Sequence, residues 1–357
     1  MRVADPLSAA AARRPFLVSG KGYGALLVVL AAVLVGSLLV GISYGTVTLP
    51  LGTVWRVVGS HLGVADPVDG GGTDQIIWDF RTPRVLLAAV VGGALAVAGA
   101  ALQVLARNAL ADPYVLGVSS GASFGAVLAV LVGSSAIGGL SISGAAFVGA
   151  LVTLAVVFVL AQRGGRIGPS RLVLAGVAVS YLTTALTSLI QLQVNPLELR
   201  GTMFWMLGSF AGADWVDLRI PTVTMVSITG WLIVRGPWLN VMTTGDDTAS
   251  GLGVEVHRFR LELLLVSSLL TATAVAVAGG IGFVGLLVPH MARLIVGPDH
   301  RRVLPVCALG GGAFMVLVDL LSRVFDRPNE YPVGIFTAVL GAPFFLVLMR
   351  RASRGVS

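Results

Sequence analysis

The amino-acid sequence predicts an all-α, polytopic membrane protein with about ten transmembrane helices and both termini on the cytoplasmic side. Three observations carry that expectation. Of the 357 residues, 56% are hydrophobic and only 11% charged, at a mean hydropathy of +0.92, whereas a soluble domain carries about 25% charged residues. The apolar residues gather into ten runs, each near the roughly 20 residues that cross a bilayer as helix. Arginine and lysine are shared unequally between the two sets of connections that those runs create.

In chain order the runs are 25–42, 85–105, 115–133, 144–161, 172–192, 220–234, 263–277, 281–296, 303–321 and 333–349. The first follows Arg13-Arg14-Pro15-Phe16-Leu17, which loosely matches a twin-arginine export signal. Its apolar stretch is long for a signal core and no Ala-x-Ala site closes it, so a retained first span is expected. The eighth run carries Pro289, His290 and Arg293, and its inner end is expected to kink or protrude. The 46 glycines suit close approach of helix backbones in lipid.

Ten spans place both termini on one side. The termini and even-numbered loops then hold 17 of the 24 basic residues, and the odd-numbered loops hold 7. Positive charge marks the cytoplasmic face. The expected organisation is a cytoplasmic N-terminal tail (1–24), a single transmembrane domain (25–349) and a cytoplasmic C-terminal tail (350–357). Two connections are long: 43–84 outside, with a glycine-rich stretch from Asp66 to Gly72, and 237–260 inside. Within the inner one, residues 243–253 read as a small helix, its start capped by Thr244 or Asp246 and its end closed by Gly253.

Several chemistries are excluded. Lys21 is the only lysine, and no Gly-x-x-x-x-Gly-Lys-[Ser/Thr] loop exists, so the chain cannot cradle ATP phosphates in that way. The four histidines stand far apart without metal-ligand spacing, and Cys307 is the only cysteine. No catalytic residue and no metal site is expected. The net charge of +7 comes from basic residues scattered between apolar runs, with no nucleic-acid-binding patch. Only Asp319 lies clearly inside a run, and Arg323 follows it at helical spacing. The expected reading is a structural intramembrane pair, Asp319 with Arg323. The alternative is a proton site of a secondary transporter.

Several motifs resemble one family in order along the chain. They are Arg81-Thr82-Pro83-Arg84, Arg107-Asn108-Ala109-Leu110-Ala111-Asp112-Pro113-Tyr114, Phe204-Trp205-Met206-Leu207-Gly208, Gly282-Phe283-Val284-Gly285, Val288-Pro289-His290 and Gly341-Ala342-Pro343-Phe344-Phe345. The chain is similar, from about Thr48 to Arg351, to the permease subunits of ABC importers for iron siderophores, haem and vitamin B12. The departures are Ala109, where the family often has proline, and Pro169, where it often has a hydroxyl residue.

The resemblance implies a vitamin B12 importer permease-like fold and inward movement of a metal chelate, first a ferric siderophore, with haem or cobalamin as alternatives. It implies a second permease subunit, two ATP-binding-cassette ATPase subunits that carry the ATP and Mg, an external substrate-binding protein and a lipid bilayer as partners. The chain itself binds no cofactor on this reading. Gly245, Asp246, Asp247, Ala249, Leu252 and Gly253 match the segment that couples to the ATPase. Gly168, Pro169 and Ser170 fall at the cytoplasmic gate. Arg81, Arg84 and Arg323 stand at span ends on the outer side, where the resemblance implies docking of acidic residues of the binding protein.

Overall fold

A computed structural model of the chain describes residues 20–45, 47–66, 71–133, 141–163 and 166–353. A helix coincides with each apolar run: α1 (Gly20–Ser43), α2 (Thr82–Leu105), α3 (Val118–Val132), α4 (Ile142–Ala161), α5 (Pro169–Gln191), α6 (Arg219–Val234), α7 (Val256–Ala278), α8 (Val284–Val296), α9 (His300–Val324) and α10 (Val333–Ser353). Of these, α1, α2, α4, α5, α7 and α9 are long and apolar enough to cross a membrane, and the other four are shorter apolar helices. The β structure among the described residues is a two-residue ladder joining α4 to α5, with Gln162 opposite Ile167, and an isolated bridge between Asp326 and Asn329. The tails 1–19 and 354–357, and residues 67–70 of the glycine-rich stretch, lie outside the described residues.

The centre of the bundle is α2, buried along nearly its whole length and packed against α7, α8 and α9. Its sequence explains that position. Packed helix axes usually lie 8–10 Å apart, depending on the side chains between them, and α2 is rich in alanine and carries Gly92, Gly93 and Gly99 among its larger residues. A Cβ on Gly99 would collide with the backbone carbonyl of Gly285 in α8, and one on Gly92 with that of Gly311 in α9. A second group, α3, α4 and α5, packs mutually and joins the first through contacts of α4 with α7.

The outer connection is shorter than the sequence suggests. A helical turn, Gly72–Gln75, and a π-helical segment, Ile76–Arg81, run directly into α2, giving 34 continuous helical residues from Gly72 to Leu105. At about 1.5 Å per residue this is roughly 50 Å, well beyond the ~30 Å apolar core of a bilayer. The charged residues of Arg81-Thr82-Pro83-Arg84 ended the apolar run, and proline is a helix breaker inside an α-helix because its ring meets the carbonyl four residues back. The wider π turn removes that conflict: the Thr82 backbone N–H bonds Ile77 O, and Thr82 Oγ1 donates to the same oxygen at 2.6 Å. The connection 43–84 also holds a helix of its own, Leu51–His61.

Candidate functional site

At the end of the bundle that the charge distribution assigns to the outside, four charged side chains from three segments converge. Asp319 of α9 is fully buried. Arg84 reaches its Oδ1 at 3.0 Å and Arg323 its Oδ2 at 3.0 Å. Arg84 also bonds Glu330, in the α9–α10 connection, at 2.9 Å. The expected pair is therefore part of a larger cluster, with one buried carboxylate held between two guanidinium groups. The sequence could not supply Arg84, which is 235 residues away.

Arg81 and Arg323 also bind backbone carbonyls of the chain. Arg81 donates to the carbonyls of Ile42 and Ser43 at 2.9 and 3.0 Å and to that of Val47. Arg323 donates to Gly41 O at 3.0 Å and Tyr44 O at 3.1 Å. These are carbonyls at and just beyond the C-terminal end of α1, which a helix leaves unsatisfied and negatively polarised. Arg81 is 7% and Arg323 3% exposed, and the Arg84 side chain 11%. The three arginines that the resemblance implies for docking are thus largely buried in the chain, with their donors bound to its carbonyls and carboxylates. The outer arginines that are exposed are Arg56, Arg200, Arg219 and Arg327.

At the opposite end, which the charge distribution assigns to the inside, two short helices, Gly236–Met242 and Asp246–Gly251, connect α6 to α7. The small helix is present, but its cap differs from expectation. The N-cap is Gly245, at φ 127°, with no side-chain cap. Thr244 Oγ1 instead donates back to Val241 O at 2.8 Å. The carboxylate of Asp246 accepts from Arg107, in the α2–α3 connection, and from Arg260 of α7 at 2.8 Å. Gly253, at φ +84°, closes the helix as expected, its N–H bonding Ser250 O at 2.9 Å. Ala249 is buried in the bundle, while Asp247 and Leu252 are exposed, Leu252 by 66%.

The Asp112-Pro113-Tyr114 motif is a lock between connections. Asp112 caps the 3₁₀ turn Pro113–Leu116 through the Tyr114 N–H at 2.9 Å, and the Tyr114 hydroxyl accepts from the N–H of Ile281 between α7 and α8. Burial pushes the Asp112 carboxyl up to about 6, against the pull of hydrogen bonds from the N–H groups of Tyr114 and Phe283. Asp299, the N-cap of α9, behaves oppositely. Burial would raise it, but the Asn240 amide, the Arg301 N–H and the charges of Arg301 and Arg302 together hold it below the usual carboxylate range.

At the expected gate, Gly168 is the N-cap of α5 and Pro169 its first residue, a position where a missing N–H costs nothing. Ser170 is exposed there. Higher on α5 a cavity of about 290 Å³ is lined by Ser180, Thr184, Thr187 and Ser188, with Ser119, Ser120 and Ser123 of α3 opposite. The sequence reading did not include this cavity. Its signal was present as hydroxyls at helical spacing on an otherwise apolar helix. Among the described residues no group of three or more His, Cys, Asp and Glu could hold a metal ion.

Comparison with known proteins gives consistent likenesses. The FecCD transport family matches residues 29–351. A permease of Bacillus subtilis, YvrB, described as an uncharacterised ABC transporter permease protein, is 43% identical over 329 residues, covering 89% of this chain and 91% of the relative. The cobalamin import system permease protein BtuC of Halobacterium salinarum is 44% identical over 275 residues, 77% of this chain and 73% of its own length. A solved structure of a metal-chelate type ABC transporter in an inward-facing conformation superimposes with a TM-score of 0.79 at 32% identity, covering 92% of this chain and 99% of that one.

Proposed function

This chain belongs to the FecCD transport family, and from that premise we propose that it is the membrane-spanning permease of an ATP-driven importer that moves a metal chelate into the cell. The chain supplies a path and a lever. ATP and Mg belong to two ATPase partners, a second permease completes the path, and an external binding protein delivers the cargo. The observation that carries the coupling role is the inner helix Asp246–Gly251, which turns Asp247 and Leu252 to the surface while burying Ala249. A helix anchored on one face and open on the other can receive a partner and pass on its movement.

Among chelates, a corrinoid is favoured over the ferric siderophore that the motifs placed first, because a 44% identical relative is described as a cobalamin import permease. Haem stands behind both. Hydroxyls such as Thr184 and Ser188 are unsuited to contact with lipid, where unsatisfied polar groups are costly, and they support a wetted wall on this face of α5. Docking of the external protein is assigned to the exposed Arg56, Arg200, Arg219 and Arg327 in place of the buried arginines. Proton-coupled transport through Asp319 is disfavoured, since both carboxylate oxygens face guanidinium groups at 3.0 Å.

Reconstitution in liposomes with the ATPase and binding protein tests this reading. Uptake of cyanocobalamin that needs ATP hydrolysis and survives collapse of the proton gradient is the expected result. Uptake that follows the proton gradient and ignores ATP would overturn it. Uptake of a ferric hydroxamate but not cyanocobalamin would keep the importer and replace the cargo.

A further inference from the structure

Residue 107 is one of two non-glycine positions among the described residues with positive φ, at 47°. It follows Ala106, the C-cap of α2, at the place where a left-handed residue ends a helix and glycine is the usual choice. An arginine there strains the backbone, because its Cβ crowds the following carbonyl. The side chain has a specific use. Arg107 Nε donates to Met242 O at 3.2 Å, the last carbonyl of the helix Gly236–Met242, and its Nη2 pairs with Asp246 at the start of the next helix. Arg260 of α7 holds the same carboxylate oxygen at 2.8 Å.

We propose that Arg107 is a positioning residue that fastens the turn between the two inner helices to the inner end of α2, so that movement of the coupling segment reaches the central helix of the bundle. Resting on the coupling role proposed above, this contact divides the work of two adjacent acids: Asp246 faces inward as the anchor, and Asp247 faces outward. Stability alone does not account for the arrangement. The ion pair is partly solvated, with side chains 31% and 45% exposed, and such pairs add little to stability, whereas a forked guanidinium sets the relative placement of two groups at once.

Proteoliposomes holding the complete transporter, with cyanocobalamin as the probe, allow uptake and ATP hydrolysis to be read together. Arg107→Gly suits the backbone of position 107 and removes only the clamp. The expected result is normal membrane accumulation, normal co-purification of the ATPase, and uptake per ATP reduced about fivefold or more. Arg107→Lys, which supplies a charge without the fork, should restore part of that ratio. An unchanged ratio in Arg107→Gly, with the parent active, overturns the proposal and leaves the importer reading intact. Loss of ATPase co-purification in that variant also overturns it, because the residue would then belong to the docking surface. If Arg107→Gly fails to accumulate, Asp246→Asn reads the contact from its other side, and a parental ratio there overturns the proposal. A parent complex that neither holds the ATPase nor takes up the probe overturns the proposed function and this contact with it.

Discussion

The buried carboxylate of Asp319 shows how much a single residue depends on its partners. Removing one side of a buried ion pair costs about 3–5 kcal/mol, because the other charge is left uncompensated. Asp319→Asn takes the buried carboxylate from both guanidinium groups, leaving Arg84 with Glu330 alone and Arg323 with backbone carbonyls, whereas Arg84→Gln leaves Asp319 with Arg323. The first variant is expected to lose more folded protein than the second, as read by size-exclusion of detergent extracts, and neither should shift a pH profile of uptake. Asp112 gives a second test. Its folded value of about 6 lies above the ordinary carboxylate value of about 3.9. A carboxyl raised on folding favours the native state below the lower value, and that contribution is lost as pH rises through the upper one. Asp112→Asn keeps an acceptor for the cap and removes the titration. Its melting temperature should exceed that of the parent at pH 7.5, with the advantage shrinking as pH falls from about 6 to about 4.

Among elements, α2 is constrained most. Gly99 lies against the α8 backbone, so Gly99→Val must push two helices apart, and overpacking of this kind costs about 1–3 kcal/mol or more. Gly230, in α6, has open space where a Cβ would be. Gly230→Ala should be neutral or stabilising by up to about 1 kcal/mol, since alanine is the better helix former. Thermal melts of the two variants in one detergent check the contrast; equal losses would mean that backbone approach does not limit α2. The inner helix Asp246–Gly251 makes a different prediction. Leu252→Arg places charge on its exposed rim and should weaken ATPase co-purification while leaving the melting temperature of the permease alone unchanged. The stretch Arg81-Thr82-Pro83-Arg84 looks like a loop in sequence and is helix in the fold. Local hydropathy registers the charges and the proline, not the π turn that accommodates them.

For the molecule as a whole, the unequal distribution of arginine sets an orientation that labelling can test. Cys307 is fully buried, so a cysteine introduced at an exposed position should be the reactive one. Ser250→Cys, in the inner connection, should react with an impermeant maleimide only in inside-out vesicles, and Ala211→Cys, between the helix Pro196–Met206 and α6, only in right-side-out ones. Labelling of both from the same side would mean a miscounted span. At this scale the docking of an external protein is also read: Arg200→Glu with Arg327→Glu should weaken its binding and reduce the effect of salt.

Positions of the apolar helices, the lack of a nucleotide loop and the small inner helix were legible in the sequence, because each depends on residues within a few turns of one another. Hydropathy over about 20 residues decides whether a segment prefers lipid, and a glycine at φ +84° closes a helix whatever lies elsewhere. What the tertiary structure alone decided was which charges are free. Arg84 and Asp319 are separated by 235 positions, and Arg107 and Asp246 by 139, so no local period relates them. An arginine at a helix end reads the same whether it faces water or caps another helix, and Asp246 and Asp247 are equivalent as neighbours in a chain. Packing around α2 separates them, turning one carboxylate toward two arginines and leaving the other exposed.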